Sequence, residues 1–229
     1  MSFQTARLSF KPLCLSDTVA LHELRTEPSV MKWSVQHVPD ANLQQTEDWI
    51  RRSIGLDETG SDAEKGGAKK GMSLKKGKGI VFSVRELSYL QSRKDGDGEE
   101  DRIIAVIGIK ESESPVSGKM QYELGYMFVP GVWGKGYASE AVKGIMGWWF
   151  TYLDSFGTSI AKSEASGVNG GKQGDIEDED RVYAIVAKTN GASIRVMEKC
   201  GFRVVGQGEE DGSGLELVEF CISKSDLAI

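Results

Sequence analysis

The sequence predicts an α+β domain, a mixed α/β arrangement of three layers in which helices cover both faces of a central, mostly antiparallel sheet. Three observations carry that expectation. Strand-like runs dominate before residue 130, and from residue 120 onward the patterns read strand, helix, strand, helix, strand, strand. The run over residues 102–109 is continuously apolar after Arg102, long enough for a strand covered on both faces. Finally, an extended aromatic stretch over residues 120–129 breaks at Pro130-Gly131 and enters a helical pattern at Tyr137 through Gly134-Lys135-Gly136. Glycines there let the backbone turn its N–H groups toward one point, and the helix start adds the positive end of its dipole. Such a turn suits an anion, a phosphate above all.

Taken in order, Ala6-Arg7-Leu8-Ser9-Phe10-Lys11-Pro12-Leu13 alternates apolar and polar residues, the period of a half-buried strand, and Pro12 marks its end. Ser16-Asp17 offers an N-cap for a helix with Val19, Ala20 and Leu24 at helical spacing, stopping before Pro28. Val30-Met31-Lys32-Trp33 reads as a short irregular or helical link. A second helix covers residues 42–54, capped by Asn42 or Thr46, with Trp49, Ile50 and Ile54 facing inward. Residues 80–87 form a strand, a charged loop follows, and the runs at 102–109 and 120–129 complete an antiparallel meander.

Beyond the glycine turn, Ala138, Ala141, Val142, Ile145, Trp149, Tyr152 and Leu153 trace one helix face that packs on the sheet. Residues 182–187 read as a buried strand. Thr189-Asn190 caps a helix over 191–200 on which Ser193, Val196, Met197 and Cys200 share a face, and Gly201 suits its left-handed C′ position. Strands at 202–206 and 215–222 close the chain. Between these elements lie two polar insertions, at about 55–79 and 158–180, the first rich in lysine and the second ending in an acidic run; both read as solvated loops. All of 1–229 is expected to form a single domain, which at this length buries roughly 70% or more of its unfolded surface.

Composition narrows the function. Thirty-nine per cent hydrophobic residues with five Trp and eight Phe is a globular balance, while a net charge of −6 and a pI near 5.2 argue against a nucleic-acid partner. A cationic molecule or amine is the more natural visitor. Cys14, Cys200 and Cys221 are widely spaced, without a CxxC or a nearby histidine, so they predict reduced thiols and no metal. The N-terminus lacks the apolar core of a signal peptide, and no segment reaches the ~20 apolar residues of a membrane span. The expectation is a cytoplasmic protein with no membrane contact.

Known phosphate loops can be tested against the glycines. A Walker A loop requires Gly-Lys-Ser/Thr four residues after its first glycine, but Gly136 is followed by Tyr137 and Ala138. A dinucleotide fingerprint requires a third glycine where Ser139 stands. Neither fits.

A third family does. The strand, the Pro-Gly break, Gly-Lys-Gly-Tyr-Ala and the amphipathic helix resemble the acyl-CoA site of the GNAT superfamily of N-acetyltransferases. Thr5-Ala6-Arg7-Leu8, Leu15-Ser16-Asp17, Glu27-Pro28-Ser29-Val30-Met31-Lys32-Trp33, Glu123-Leu124-Gly125-Tyr126, Trp133-Gly134-Lys135-Gly136-Tyr137-Ala138-Ser139-Glu140-Ala141 and Asn190-Gly191-Ala192-Ser193-Ile194-Arg195-Val196-Met197-Glu198-Lys199-Cys200-Gly201-Phe202 resemble its Rim-type branch, the ribosomal-protein-alanine N-acetyltransferases. Trp133 stands where the superfamily pattern has Arg or Gln.

The resemblance implies acetyl-CoA as cosubstrate, with its pyrophosphate on Trp133, Gly134, Lys135, Gly136, Tyr137 and Ala138. It implies a sheet splayed between the strand at 120–129 and that at 182–187, with Met127, Phe128 and Val129 offering backbone groups to the pantetheine arm. Asn190 and Ser193 would hydrogen-bond that arm, or simply cap their helix. The acceptor would be an amine, on a small molecule or a protein N-terminus, that attacks the thioester directly. Glu123 resembles the strand glutamate that serves as base in some relatives, and Glu140 is a weaker candidate because a carboxylate there also suits the helix dipole. Met197 occupies the place of the usual acid, a tyrosine, which leaves Ser193 or water to protonate the thiolate. That substitution keeps a second reading open, a non-catalytic acyl-CoA-binding or regulatory module.

Overall fold

Alternation along the first long strand decides which way the sheet faces. In the computed structural model, which describes residues 1–56, 79–88, 102–164, 180–210 and 212–227 (the backbone course alone for 156–164), Leu8 and Phe10 of β2 (Leu8–Pro12) are fully buried. With Phe3 of β1 (Phe3–Gln4) and Phe82 of β3 (Ile80–Glu86), Phe10 builds an aromatic cluster completed by Trp148 of the long helix α4 (Tyr137–Glu164). That face of the sheet therefore lies under α4. The opposite face carries Ser83 and Arg85, which meet Asp17 just ahead of α1 (Thr18–Thr26) through bonds of 3.1 Å and 2.7 Å. Helices α2 (Pro28–Met31) and α3 (Leu43–Ser53) adjoin α1, giving the expected three layers.

The sheet has eight strands in the order β1-β2-β3-β4-β5-β6-β8-β7. Strands β1 to β5, the last two being Ala105–Glu113 and Met120–Phe128, form a continuous antiparallel meander. Strand β6 (Arg181–Ala187) pairs antiparallel with β8 (Glu216–Ser223), which pairs with the edge strand β7 (Arg203–Glu209). Strands β5 and β6 are parallel and meet in register only at Glu123↔Tyr183. From there β5 continues to Phe128 paired with β4 but no longer with β6, which is the expected splay.

Local chemistry accounts for the helix ends. Asn42 rather than Thr46 caps α3, accepting from the Gln45 N–H at 3.1 Å, while Thr46 is buried and donates to Asp40 at 2.7 Å. Helix α5 (Gly191–Lys199) ends in a Schellman motif: Gly201 adopts φ +88°, Phe202 N–H donates to the Met197 carbonyl and Gly201 N–H to that of Glu198.

Several expectations change. Val19 is exposed, and Leu21 and Leu24 carry the buried stripe of α1 instead, because Thr18 and Arg25 turn inward on the same side. The central strand begins at Ala105; Ile103 and Ile104 are buried ahead of it, with the Ile104 N–H bonded to the Val84 carbonyl. Helix α4 continues to Glu164, so residues 158–164 of the second expected insertion are helical; no Gly or Pro interrupts them. Strand β1 is too short to leave a periodic signal. The rest of that insertion through residue 179, the charged stretch over 89–101 and residues 57–78 of the lysine-rich one lie outside the described residues.

The α1–α3 layer is tied by a buried ion pair. Arg25 donates through Nε and Nη2 to the two oxygens of Asp40 at 2.6 Å and 2.9 Å, and its guanidinium lies 4.4 Å over the Trp49 ring. Burial alone would raise the Asp40 carboxyl, but hydrogen bonds from Arg25, Thr46 and Gln36 outweigh it and hold the group below its ordinary range. Removing one partner leaves a buried charge uncompensated. Asp40→Ala is expected to cost about 3–5 kcal/mol of unfolding free energy, read from the midpoint of urea denaturation, and Asp40→Asn to lose less because it keeps a hydrogen-bond acceptor.

Candidate functional site

The site grows out of the end of β5. After Phe128 the chain makes a single 3-10 turn (Pro130–Val132), and Trp133 N–H closes it on the Pro130 carbonyl at 3.0 Å. The Trp133 indole then reaches back, donating to the Phe128 carbonyl at 2.8 Å, so the turn is pinned to the strand it leaves. Gly134 and Gly136 follow with φ of +74° and +80°, the left-handed region that favours glycine. A Cβ at Gly134 would meet nothing within 4 Å, so its glycine is there for conformation rather than room.

This backbone leaves a row of donors. From Gly134 to Ser139 the N–H groups make no hydrogen bond among the described residues, and the first helical bond of this end runs from the Glu140 N–H to the Gly136 carbonyl. Two left-handed glycines ahead of a helix start turn successive N–H groups into a concave nest suited to an anion, reinforced by the dipole of α4. Gly134, Lys135, Gly136, Tyr137 and Ala138 thus present free donors. Trp133, expected among them, has its N–H occupied and acts through its side chain.

Behind the nest stands a clamp. Glu140, one turn into α4, accepts from Thr5 Oγ1 at 2.6 Å, from the Arg7 N–H at 2.8 Å and from Arg7 Nε at 2.6 Å. Arg7 also donates to the Lys135 carbonyl at 3.0 Å and lies 4.3 Å over the Tyr137 ring, and the Tyr137 hydroxyl donates to Glu86. One guanidinium therefore ties the start of β2 to the turn and to the helix. Burial would raise the Glu140 carboxyl, yet the bonds from Thr5 and Arg7 prevail and lower it. Engaged in this way, Glu140 is a structural anion and not a base.

On the strand side, register decides which backbone groups face the splay. The Val129 N–H donates to the Ile104 carbonyl at 2.9 Å. Antiparallel pairing alternates, so Met127 points its backbone groups the same way, toward β4, while Tyr126 and Phe128 point theirs toward β6. Of Met127, Phe128 and Val129, then, Phe128 alone turns to the gap, and Tyr126 joins it. Side chains alternate too: Tyr122 packs edge-on against Trp149 of α4, which places Tyr126 and Phe128 on the α4 face and Glu123 on the face of α1 and α3. Glu123 is half-buried, and its carboxylate makes no hydrogen bond or ion pair among the described residues.

Across the gap, Asn190 caps α5, its Oδ1 accepting the Ser193 N–H at 3.2 Å. The Ser193 side chain is half-buried, Met197 is fully buried, and the Cys200 thiol touches the Ser139 carbonyl beside the nest. Burial pushes that thiol up. The structure thus gathers the nest, the free edge of β5 and the first turn of α5 around one divergence in the sheet. Sequence reasoning missed Arg7 as a partner of the turn; the only trace was a basic residue just ahead of β2 and an acid in the loop helix.

A strand edge left open beside a helix-start anion nest is the frame of an acyl-CoA-dependent transferase, and comparison with known families agrees. The model for the acetyltransferase (GNAT) domain matches residues 7–203, and the chain belongs to that family of acyl-transferring enzymes. The GNAT-family acetyltransferase of Bacillus anthracis superposes with a TM-score of 0.63 at 19% identity, over 98% of this chain and 99% of the other. Spermidine N-acetyltransferase from Vibrio cholerae, solved with CoA and spermine, gives 0.60 at 14% identity over 97% and 98%. Ribosomal-protein-S5-alanine acetyltransferase from Vibrio fischeri gives 0.57 at 14% over 99% and 98%. Comparison with curated protein sequences gives no match.

The clamp carries a pH signature. Because the folded carboxyl of Glu140 lies below its unfolded value of about 4.3, its contribution is present above that pH and is lost as pH falls through the folded value. Thermal unfolding of the wild type against Glu140→Gln should therefore show a gap at pH 7 that closes as pH drops below about 4. A gap independent of pH would contradict this account.

Proposed function

We propose that this chain transfers an acetyl group from acetyl-CoA to a primary amine by direct attack on the thioester, without a covalent enzyme intermediate. The observation that carries the reading is the row of unpartnered N–H groups from Gly134 to Ala138 at the mouth of the β5–β6 divergence. In this reading those donors hold the pyrophosphate, and the pantetheine arm lies along the Tyr126 backbone and the Phe128 N–H, the Phe128 carbonyl being taken by the Trp133 indole. The Asn190 amide nitrogen and the Ser193 hydroxyl meet the arm from α5. A backbone N–H aimed at the thioester oxygen would stabilise the charge that develops there, a contribution typically of about 2.7–4 kcal/mol.

The attacking amine must be neutral, so a base has to take its proton. Glu123 fits that role by position, one bridge below the opening and on the face away from α4. Primary amines of two kinds are supported as acceptors, small polyamines and protein N-termini, since the structural neighbours named for spermidine and for ribosomal-protein alanine represent both. The sequence blocks favour the Rim-type branch and hence a protein N-terminus. The net charge of −6 accords with a cationic acceptor, and the one eight-stranded sheet accords with a single domain spanning 1–229.

The reading is checked by incubating the protein with acetyl-CoA and a panel of amines while following free thiol. Tight CoA binding without thiol release from any amine would instead mark a non-catalytic acyl-CoA-binding module. Gly136→Pro is expected to abolish CoA binding by calorimetry, because proline cannot adopt a φ of +80° and removes a donor. Glu123→Gln is expected to leave CoA binding intact and slow turnover by about 10²-fold or more; unchanged turnover would remove Glu123 from the mechanism.

A further inference from the structure

Among the described residues, the Tyr126 hydroxyl is the only buried side-chain oxygen without a hydrogen bond. A buried donor left unpaired costs about 1–3 kcal/mol, so such a group calls for a role. Its position supplies one. Tyr126 stands on β5 beyond the single bridge to β6, on the α4 face, with its ring edge-on to Phe128 at 5.9 Å. Its tip reaches toward Ser193 and Cys200 of the α5 segment, which follows β6 in the chain, so the side chain spans the divergence between the two strands. The Ser193 hydroxyl is near enough to act on the phenol as a hydrogen-bond donor and so lower it, but the contact falls short of good hydrogen-bond geometry.

We propose that the Tyr126 hydroxyl hydrogen-bonds the sulfur of the departing CoA thiolate as the carbon–sulfur bond breaks, a step that rests on the acyl transfer proposed above. The amine nitrogen bonds to the carbonyl carbon, its proton passes to Glu123 or to water, and the carbon–sulfur electron pair leaves on sulfur. The phenol donates its hydrogen bond without giving up its proton. Burial, opposed by Ser193 and aided by Cys200, holds this phenol up at about 12, well above a thiol of roughly 8.5, so transfer to sulfur runs uphill. The thiolate takes its proton from solvent once it is released. Met197, fully buried and without an acidic hydrogen, supplies no donor here, and Tyr126 fills that need from the strand instead of the helix.

Tyr126→Phe in the full chain removes only the hydroxyl. Because that oxygen has no protein partner of good hydrogen-bond geometry, thermal stability should stay level or rise. With acetyl-CoA and an amine that the wild type accepts, kcat should fall about 10- to 100-fold while CoA Kd and acetyl-CoA KM stay within about threefold. The pH limbs of kcat should not move, since a group near 12 does not titrate in the working range. A kcat within about twofold of wild type, or a fall matched by an equal loss of CoA affinity, overturns the assignment while leaving the proposed acyl transfer standing. A wild type that binds CoA but acetylates no amine overturns both.

Discussion

The constraint on which the rest of the molecule depends is the divergence of two parallel strands. Strand β5 is held to β4 along its whole length, from Glu113↔Met120 to Ala105↔Phe128, yet it touches β6 in register only at Glu123↔Tyr183. Past that bridge the Tyr126 N–H and carbonyl and the Phe128 N–H form an interior sheet edge, the Phe128 carbonyl being closed by Trp133. Unpaired backbone inside a fold is unfavourable unless something satisfies it, and an extended ligand laid along the edge does so by the same hydrogen bonds a strand would make. Turn, helix start and capped helix are all arranged around that vacancy in the hydrogen-bond ladder.

A nest of backbone donors is useful only if it is held still. The two positive-φ glycines make the turn possible, but glycine is also the most permissive residue, so the geometry has to be enforced from outside. Arg7 does this with one planar fork, bonding Glu140 and the Lys135 carbonyl while lying over Tyr137. A lysine has no such fork. The pairing also explains why Glu140, a carboxylate beside a proposed catalytic centre, is electrostatically spent.

In the proposed mechanism, pleating assigns the two chemical tasks to opposite faces of a single strand. Glu123 projects toward α1 and α3, where the proposed acceptor would approach, and Tyr126 projects toward α4 and α5, where the sulfur of the donor would lie. They stand three positions apart, and in the proposed mechanism that odd offset sets base and leaving group on either side of the reacting carbon.

Much of this was legible in the residues themselves. Alternation and helical spacing located the main strands and helices, Asn42 and Asn190 announced their caps, and Gly201 its left-handed turn, because each depends on neighbours within a few positions. Gly134 and Gly136 marked the nest for the same reason. What depended on register was not legible: backbone groups were assigned to Met127, Phe128 and Val129, whereas the Val129 N–H belongs to Ile104 and the free edge falls on Tyr126 and Phe128. Val19 was misread, and the choice between Asn42 and Thr46 as cap stayed open, because which stripe of a helix faces inward is settled by what it packs against. The sequence by itself thus determined the local elements and the anion-binding turn, through backbone propensities that act over a few residues. Only the tertiary structure decided the clamp of Arg7 on Glu140 and the facing of Tyr126 and Ser193, since these contacts join residues far apart in the chain and depend on register and strand twist.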